Sequence, residues 1–131
     1  MHQATKATAR LLLLLLALSL ASSRSQSQQK PETFASFWKE FTGALAKNDK
    51  EAVITLTKLP FYFDNKDQDR AGFLKIYPQV FTRSIRRCMA TAKPHRDPRD
   101  KNSYDVYCGE LIFSFGKVGG KFKFLNYGPN D

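Results

Sequence analysis

Acid–base chemistry at a carbon centre needs a carboxylate to carry a proton and neutral hydroxyl donors to hold the oxyanion that develops. Asp105, Tyr107, Tyr62 and Tyr77 are residues of those types. Asp105 and Tyr107 share the side of an alternating segment opposite Tyr104, Val106 and Cys108, so both point into a cavity or both into water. Water is the expectation for Asp105, because charged side chains are seldom fully buried. Tyr62 and Tyr77 are expected as core aromatics with a wet hydroxyl. Trp38 reads first as core and second as a pocket wall.

Other chemistries lack their residues. His2 falls in an N-terminal leader, which leaves His95, between Pro94 and Arg96, as the one histidine of the remaining chain. That rules out a two-histidine mechanism within one chain and a histidine-rich zinc site. No Gly-x-Ser-x-Gly elbow is present to make His95 the base of a serine hydrolase, and it reads as an exposed loop residue. Asp67-x-Asp69 begins like a calcium loop, but Ala71 and Pro78 stand where ligands would be required. The glycines from Gly116 to Gly120 join strands instead of opening a helix, so they do not cradle phosphate. The sequence calls for no metal and no cofactor.

Charge points to a different class of function. Arg83, Arg86, Arg87, Lys93, Arg96, Arg99 and Lys101 place seven cations within nineteen positions, against Asp97 and Asp100. Such a run attracts phosphates or an acidic polymer, although a charge run is more often a solvated face. Lys121 and Lys123 alternate with Phe122 and Phe124; the phenylalanines are expected to face helices and the lysines water.

These residues sit in a chain of 131, with 21 Lys and Arg against 12 Asp and Glu, which allows one core and excludes two-domain dehydrogenases and barrels of the TIM type. Residues 1–23 read as a signal peptide: Lys6 and Arg10 precede an apolar run from Leu11 to Ala21 that is too short to span a bilayer, where about 20 residues are needed. No cysteine follows to carry a lipid, so a secreted or periplasmic protein without an integral membrane span is expected. The polar stretch 24–30 reads as a flexible tether and 31–131 as one domain. Cys88 and Cys108 both lie in the exported part, where pairing is the economical reading; two buried thiols or a redox pair are the alternatives.

The order of elements follows from periodicity. Pro31 and Glu32 suit the opening of a helix whose stripe is Phe34, Phe37, Trp38, Phe41 and Leu45. Asp49 caps a shorter helix with Val53 and Ile54, Phe61 to Phe63 is extended, and Asp64 to Asp69 is a polar turn. A third helix runs from Asp69 until Pro78. A fourth, capped by Thr82, puts Ile85, Cys88 and Met89 on one face and the three arginines on the other. Beyond a polar stretch from Lys93 to Ser103 the period becomes two, and three strands follow, the last two joined by Gly116 to Gly120. This is an α+β pattern, with N-terminal helices packed on a curved C-terminal antiparallel sheet.

Phe34, Phe37, Trp38 and Phe41 on the leading helix, Leu59-Pro60-Phe61, the stretch from Gly72 to Phe81 and the late strands together resemble small exported bacterial proteins of the nuclear transport factor 2-like, or cystatin-like, superfamily. The resemblance implies a cone in which a bent sheet wraps a long helix around a pocket, here truncated because fewer strands are evident. Members include ketosteroid isomerase, cyclases, dehydratases and non-catalytic binding domains, so the fold does not select the chemistry. The leading expectation is an exported, non-catalytic domain that binds a small ligand or a protein partner, with Trp38, Tyr62, Tyr77, Asp105 and Tyr107 as candidate pocket residues. A small isomerase-type pocket enzyme using the aspartate and tyrosines is one alternative, and a basic polyanion-binding module is another. Homodimerisation is left open.

Overall fold

The computed structural model describes residues 32–131. The leader (1–23), the tether (24–30) and Pro31 lie outside the described residues. The chain runs α1 (Phe34–Ala46), α2 (Lys50–Thr55), β1 (Phe61–Phe63), β2 (Lys66–Gln68), α3 (Arg70–Val80), α4 (Arg83–Thr91), β3 (His95–Arg96), β4 (Tyr104–Cys108), β5 (Leu111–Val118) and β6 (Lys121–Pro129). It is an α+β domain with a four-stranded antiparallel sheet in the order β3-β4-β5-β6 and a separate hairpin β1-β2. Among the described residues no helix is long and apolar enough to cross a membrane.

Side chains that accept backbone N–H groups start every helix: Thr33, Asp49, Asp69 and Thr82 bond the N–H three residues ahead. The first helix therefore begins at Phe34 and not at Glu32, whose carboxylate instead accepts the Phe122 N–H at 2.7 Å and ties the chain entry to β6. The third helix passes through Pro78 to Val80, because burial of Val80 and Phe81 outweighs one lost N–H in the final turn. Asp64 to Asp69 is the end of a hairpin, not a plain turn, with Phe63 opposite Lys66.

Core packing joins the helix stripe to the late strands. Phe37 and Phe41 are fully buried, and the Phe41 ring lies edge-on to Phe115 at 5.2 Å and to Phe81 at 5.9 Å. Phe34 meets Phe122 at 5.3 Å. Phe113, Phe115, Phe122 and Phe124 all lie on the helix side of the sheet. After α2 the chain runs beside β6 in a single parallel bridge, Thr57 to Phe124, which covers part of that edge.

Two details of the sheet depart from simple alternation. The β5-β6 connection is only Gly119-Gly120, both at positive φ (60° and 81°), as a two-residue hairpin turn demands; Gly116 to Val118 belong to the strand. Between the pairs Ser114–Asn126 and Phe115–Phe124, Leu125 has no partner, so β6 carries a bulge. Gly116 makes room for it, since a Cβ there would meet the Leu125 Cδ1 at 2.9 Å. Lys123 is only half-exposed, and its ammonium donates to the Thr55 carbonyl at the end of α2.

Cys88 on α4 and Cys108 at the end of β4 form a disulfide, which fastens the last helix to the sheet. No free cysteine is left among the described residues.

Candidate functional site

The bulge decides what faces inward at the end of β6. With strict alternation Phe122, Phe124 and Asn126 would share a face; the extra residue reverses parity, so Tyr127 turns toward the core and pairs with Phe113. The Tyr127 ring stacks on Phe113 at 5.4 Å and lies 6.4 Å from both Phe61 and Phe63. Burial pushes its phenol above the ordinary value, itself well above physiological pH, and the group is neutral there.

Tyr127 forms one wall of a cleft of about 520 Å³ whose other sides are the β1-β2 hairpin (Tyr62, Phe63, Asp64, Asn65), Gln79 in the last turn of α3, Leu111, Gly128 and Pro129. That volume lies in the range of small-molecule sites, roughly 300–1,000 Å³. Each wall has a local cause. Leu111 pairs with Pro129 where β5 starts and β6 ends. Gln79 reaches the rim because α3 continues past Pro78. Asp64 and Asn65 form the hairpin tip with φ of 49° and 59°, a left-handed pair without glycine. The Tyr62 hydroxyl donates to the Asn65 side-chain carbonyl at 3.1 Å, which draws the exposed ring over the turn.

The five pocket candidates do not converge. Tyr62 lines this cleft and is 61% exposed, against its expectation as core, because Phe61 and Phe63 occupy the inward face of a three-residue strand. Tyr77 is buried in the helical layer; its hydroxyl donates to the Asn48 side-chain carbonyl at 3.0 Å instead of to water. Trp38 is half-buried on α1, edge-on to Phe115 at 5.4 Å. Asp105 and Tyr107 lie on the sheet face turned away from the helices. Asp105 is half-buried and accepts the Ser114 hydroxyl at 2.7 Å, and Tyr107 is 45% exposed, with His95 edge-on at 5.4 Å. His95, Asp105, Ser114 and Asn126 are consecutive cross-strand partners and make a polar row on that face.

The seven cations are also divided. Arg86 is half-buried, not on the solvated face, and donates to the Phe81 carbonyl at 3.1 Å at the end of α3. Arg96 donates to the Lys101 carbonyl at 3.1 Å. Arg99 closes on Asp97, which the Arg99 backbone N–H already holds below the ordinary carboxylate range. Arg83, Arg87, Lys93 and Lys101 are exposed, and none is in an ion pair among the described residues. No cluster of three metal-ligating side chains occurs among the described residues.

Sequence reading missed Phe63, Asp64, Asn65, Gln79, Leu111, Tyr127, Gly128 and Pro129. The pair Asp64-Asn65 directly after the aromatic run Phe61 to Phe63 was a usable turn signal; nothing local announced the bulge. No family model, curated protein or solved structure matches the chain.

Proposed function

We propose that this chain is an exported binding domain of the nuclear transport factor 2-like kind, whose ligand enters the cleft between the β1-β2 hairpin and the ends of β5 and β6. The observation that carries this reading is the cleft's make-up: three aromatic side chains, a leucine and a proline, bordered by two amides and one carboxylate. Apolar walls with a few polar groups at the rim are what small-molecule sites are made of. The opening helix and the late strands bury their phenylalanines against each other, which favours a cone with a filled interior and a ligand held at its edge. The leader and the disulfide support export to an oxidising compartment.

A binding role is favoured over isomerase-type catalysis by the position of Asp105. It sits across the sheet from the aromatic core, bonded to Ser114, and away from Tyr62 and Tyr77. A proton shuttle has to reach within hydrogen-bonding distance of the substrate that its oxyanion donors hold.

The test is a fragment screen by NMR on the full chain. Hits are expected to shift the amides of Phe63, Leu111 and Tyr127, and a Leu111→Trp variant that fills the cleft is expected to lose them while keeping its fold. Hits that leave these residues unmoved, or that survive Leu111→Trp, would show that the ligand goes elsewhere.

A further inference from the structure

We propose that the cleft selects an organic cation, an ammonium or guanidinium group carried on an apolar body. The inference rests on the cleft being the binding site and adds the class of ligand.

Charge is the first argument. Of 21 lysines and arginines, Lys6, Arg10, Arg24 and Lys30 lie outside the described residues, which leaves 17 across the domain, yet none lines the cleft. Asp64 is the one charged residue there. An anionic ligand would meet this carboxylate with no cation among the lining residues to offset it; a cationic ligand would meet complementary charge.

The walls make the second argument. Tyr62, Phe63 and Tyr127 supply aromatic faces, whose quadrupole attracts a cation placed over the ring. The side-chain carbonyls of Asn65 and Gln79 can accept N–H groups of a primary ammonium or a guanidinium at the rim. Leu111 and Pro129 offer apolar surface for the body that carries the charge.

The third argument is the hairpin tip. Asp64 and Asn65 both stand in the left-handed region, which Asp and Asn adopt more readily than other non-glycine residues, so the turn itself fixes a carboxylate and an amide at this rim.

The probes are three ligands of nearly equal shape: 3-phenylpropyl-trimethylammonium, its neutral analogue with a tert-butyl head, and 4-phenylbutyrate. Each is titrated into the full chain and into Asp64→Asn, following the Phe63, Leu111 and Tyr127 resonances. Asparagine tolerates the left-handed conformation, so the turn survives the change. The ammonium is expected to bind about tenfold more tightly than the neutral analogue, within the range of cation–π attraction. Asp64→Asn is expected to reduce that preference about two- to fivefold, and added salt to do the same, as for an exposed charge pair. Equal or tighter binding of the neutral or anionic probe at these residues would overturn the cation while leaving the cleft in place. If none of the three probes moves these resonances, the cleft itself fails as the site, and the inference fails with it.

Discussion

Replacing Cys88 and Cys108 together by alanine releases α4 from the end of β4, and its cost can be worked from the chain closed between them. The sequence separation is 20. On the chain-entropy model a loop of that length removes about 11 cal/mol/K from the unfolded state, or about 3.3 kcal/mol at 25 °C. For a domain of about 100 residues, with an unfolding entropy of about 0.2 kcal/mol/K, this corresponds to a fall in Tm of about 16 °C. In urea, with a slope of about 1–1.5 kcal/mol/M, the midpoint is expected to drop by about 2–3 M. Cys108 is buried and Cys88 only half so, so the alanines add a small packing loss on top of the entropy. Equilibrium urea melts of the oxidised protein, the reduced and alkylated protein and the double variant separate the contributions. The first and second should differ chiefly by the loop term, and the third should differ from the second only by the small packing terms at the two sites. A difference below about 1 kcal/mol between oxidised and reduced protein would refute the reasoning, since the bridge would then leave the unfolded ensemble unrestricted. Alkylation of two thiols in unreduced protein would refute the pairing itself.

Other perturbations reach other parts of the molecule. Phe41→Ala removes a fully buried ring that touches α1, β5, β6 and the end of α3; a loss of about 3–5 kcal/mol in a denaturant melt is expected, and a loss under 1 kcal/mol would mean that the helix stripe is not core. Burial holds the Tyr77 phenol above its ordinary value despite the lowering pull of Arg86. The unfolded phenol therefore ionises first: stability is intact below about pH 10 and declines as pH rises through the folded value. Tyr77→Phe should flatten that alkaline decline and cost about 1 kcal/mol at neutral pH through the lost bond to Asn48; an unchanged alkaline slope would contradict the assignment. Arg86→Gln should destabilise by about 1 kcal/mol, since its guanidinium caps Phe81, whereas Arg83→Gln should stay within about 0.5 kcal/mol; equal effects in thermal melts would erase the distinction drawn between them. The Arg99 N–H and the Asn102 N–H hold the carboxyls of Asp97 and Asp100 below the usual range. The order they give the loop is thus present above ordinary carboxylate values and is lost as pH falls through the folded ones; amide shifts of Arg99, Asn102 and Ser103 that stay flat between pH 5 and 2 would count against it.

Local rules were enough for much of this fold. Capping by Asp49, Asp69 and Thr82, the stripe from Phe34 to Leu45, the alternation of the late strands and the Cys88–Cys108 pair are all legible in the sequence, because each depends on side-chain type at fixed spacing. What the sequence could not settle depends on the energy of the whole body. Whether Pro78 ends its helix turns on the burial of Val80 and Phe81 several residues on. Whether Arg86 faces water turns on the free carbonyl of Phe81. Tyr127 points inward only because Leu125 is left unpaired against β5, a register choice made between two strands and invisible in either one. The cleft inherits that choice: its walls come from a hairpin, a helix end and two strand ends far apart in sequence. Packing the phenylalanines, and no local propensity, brings them together.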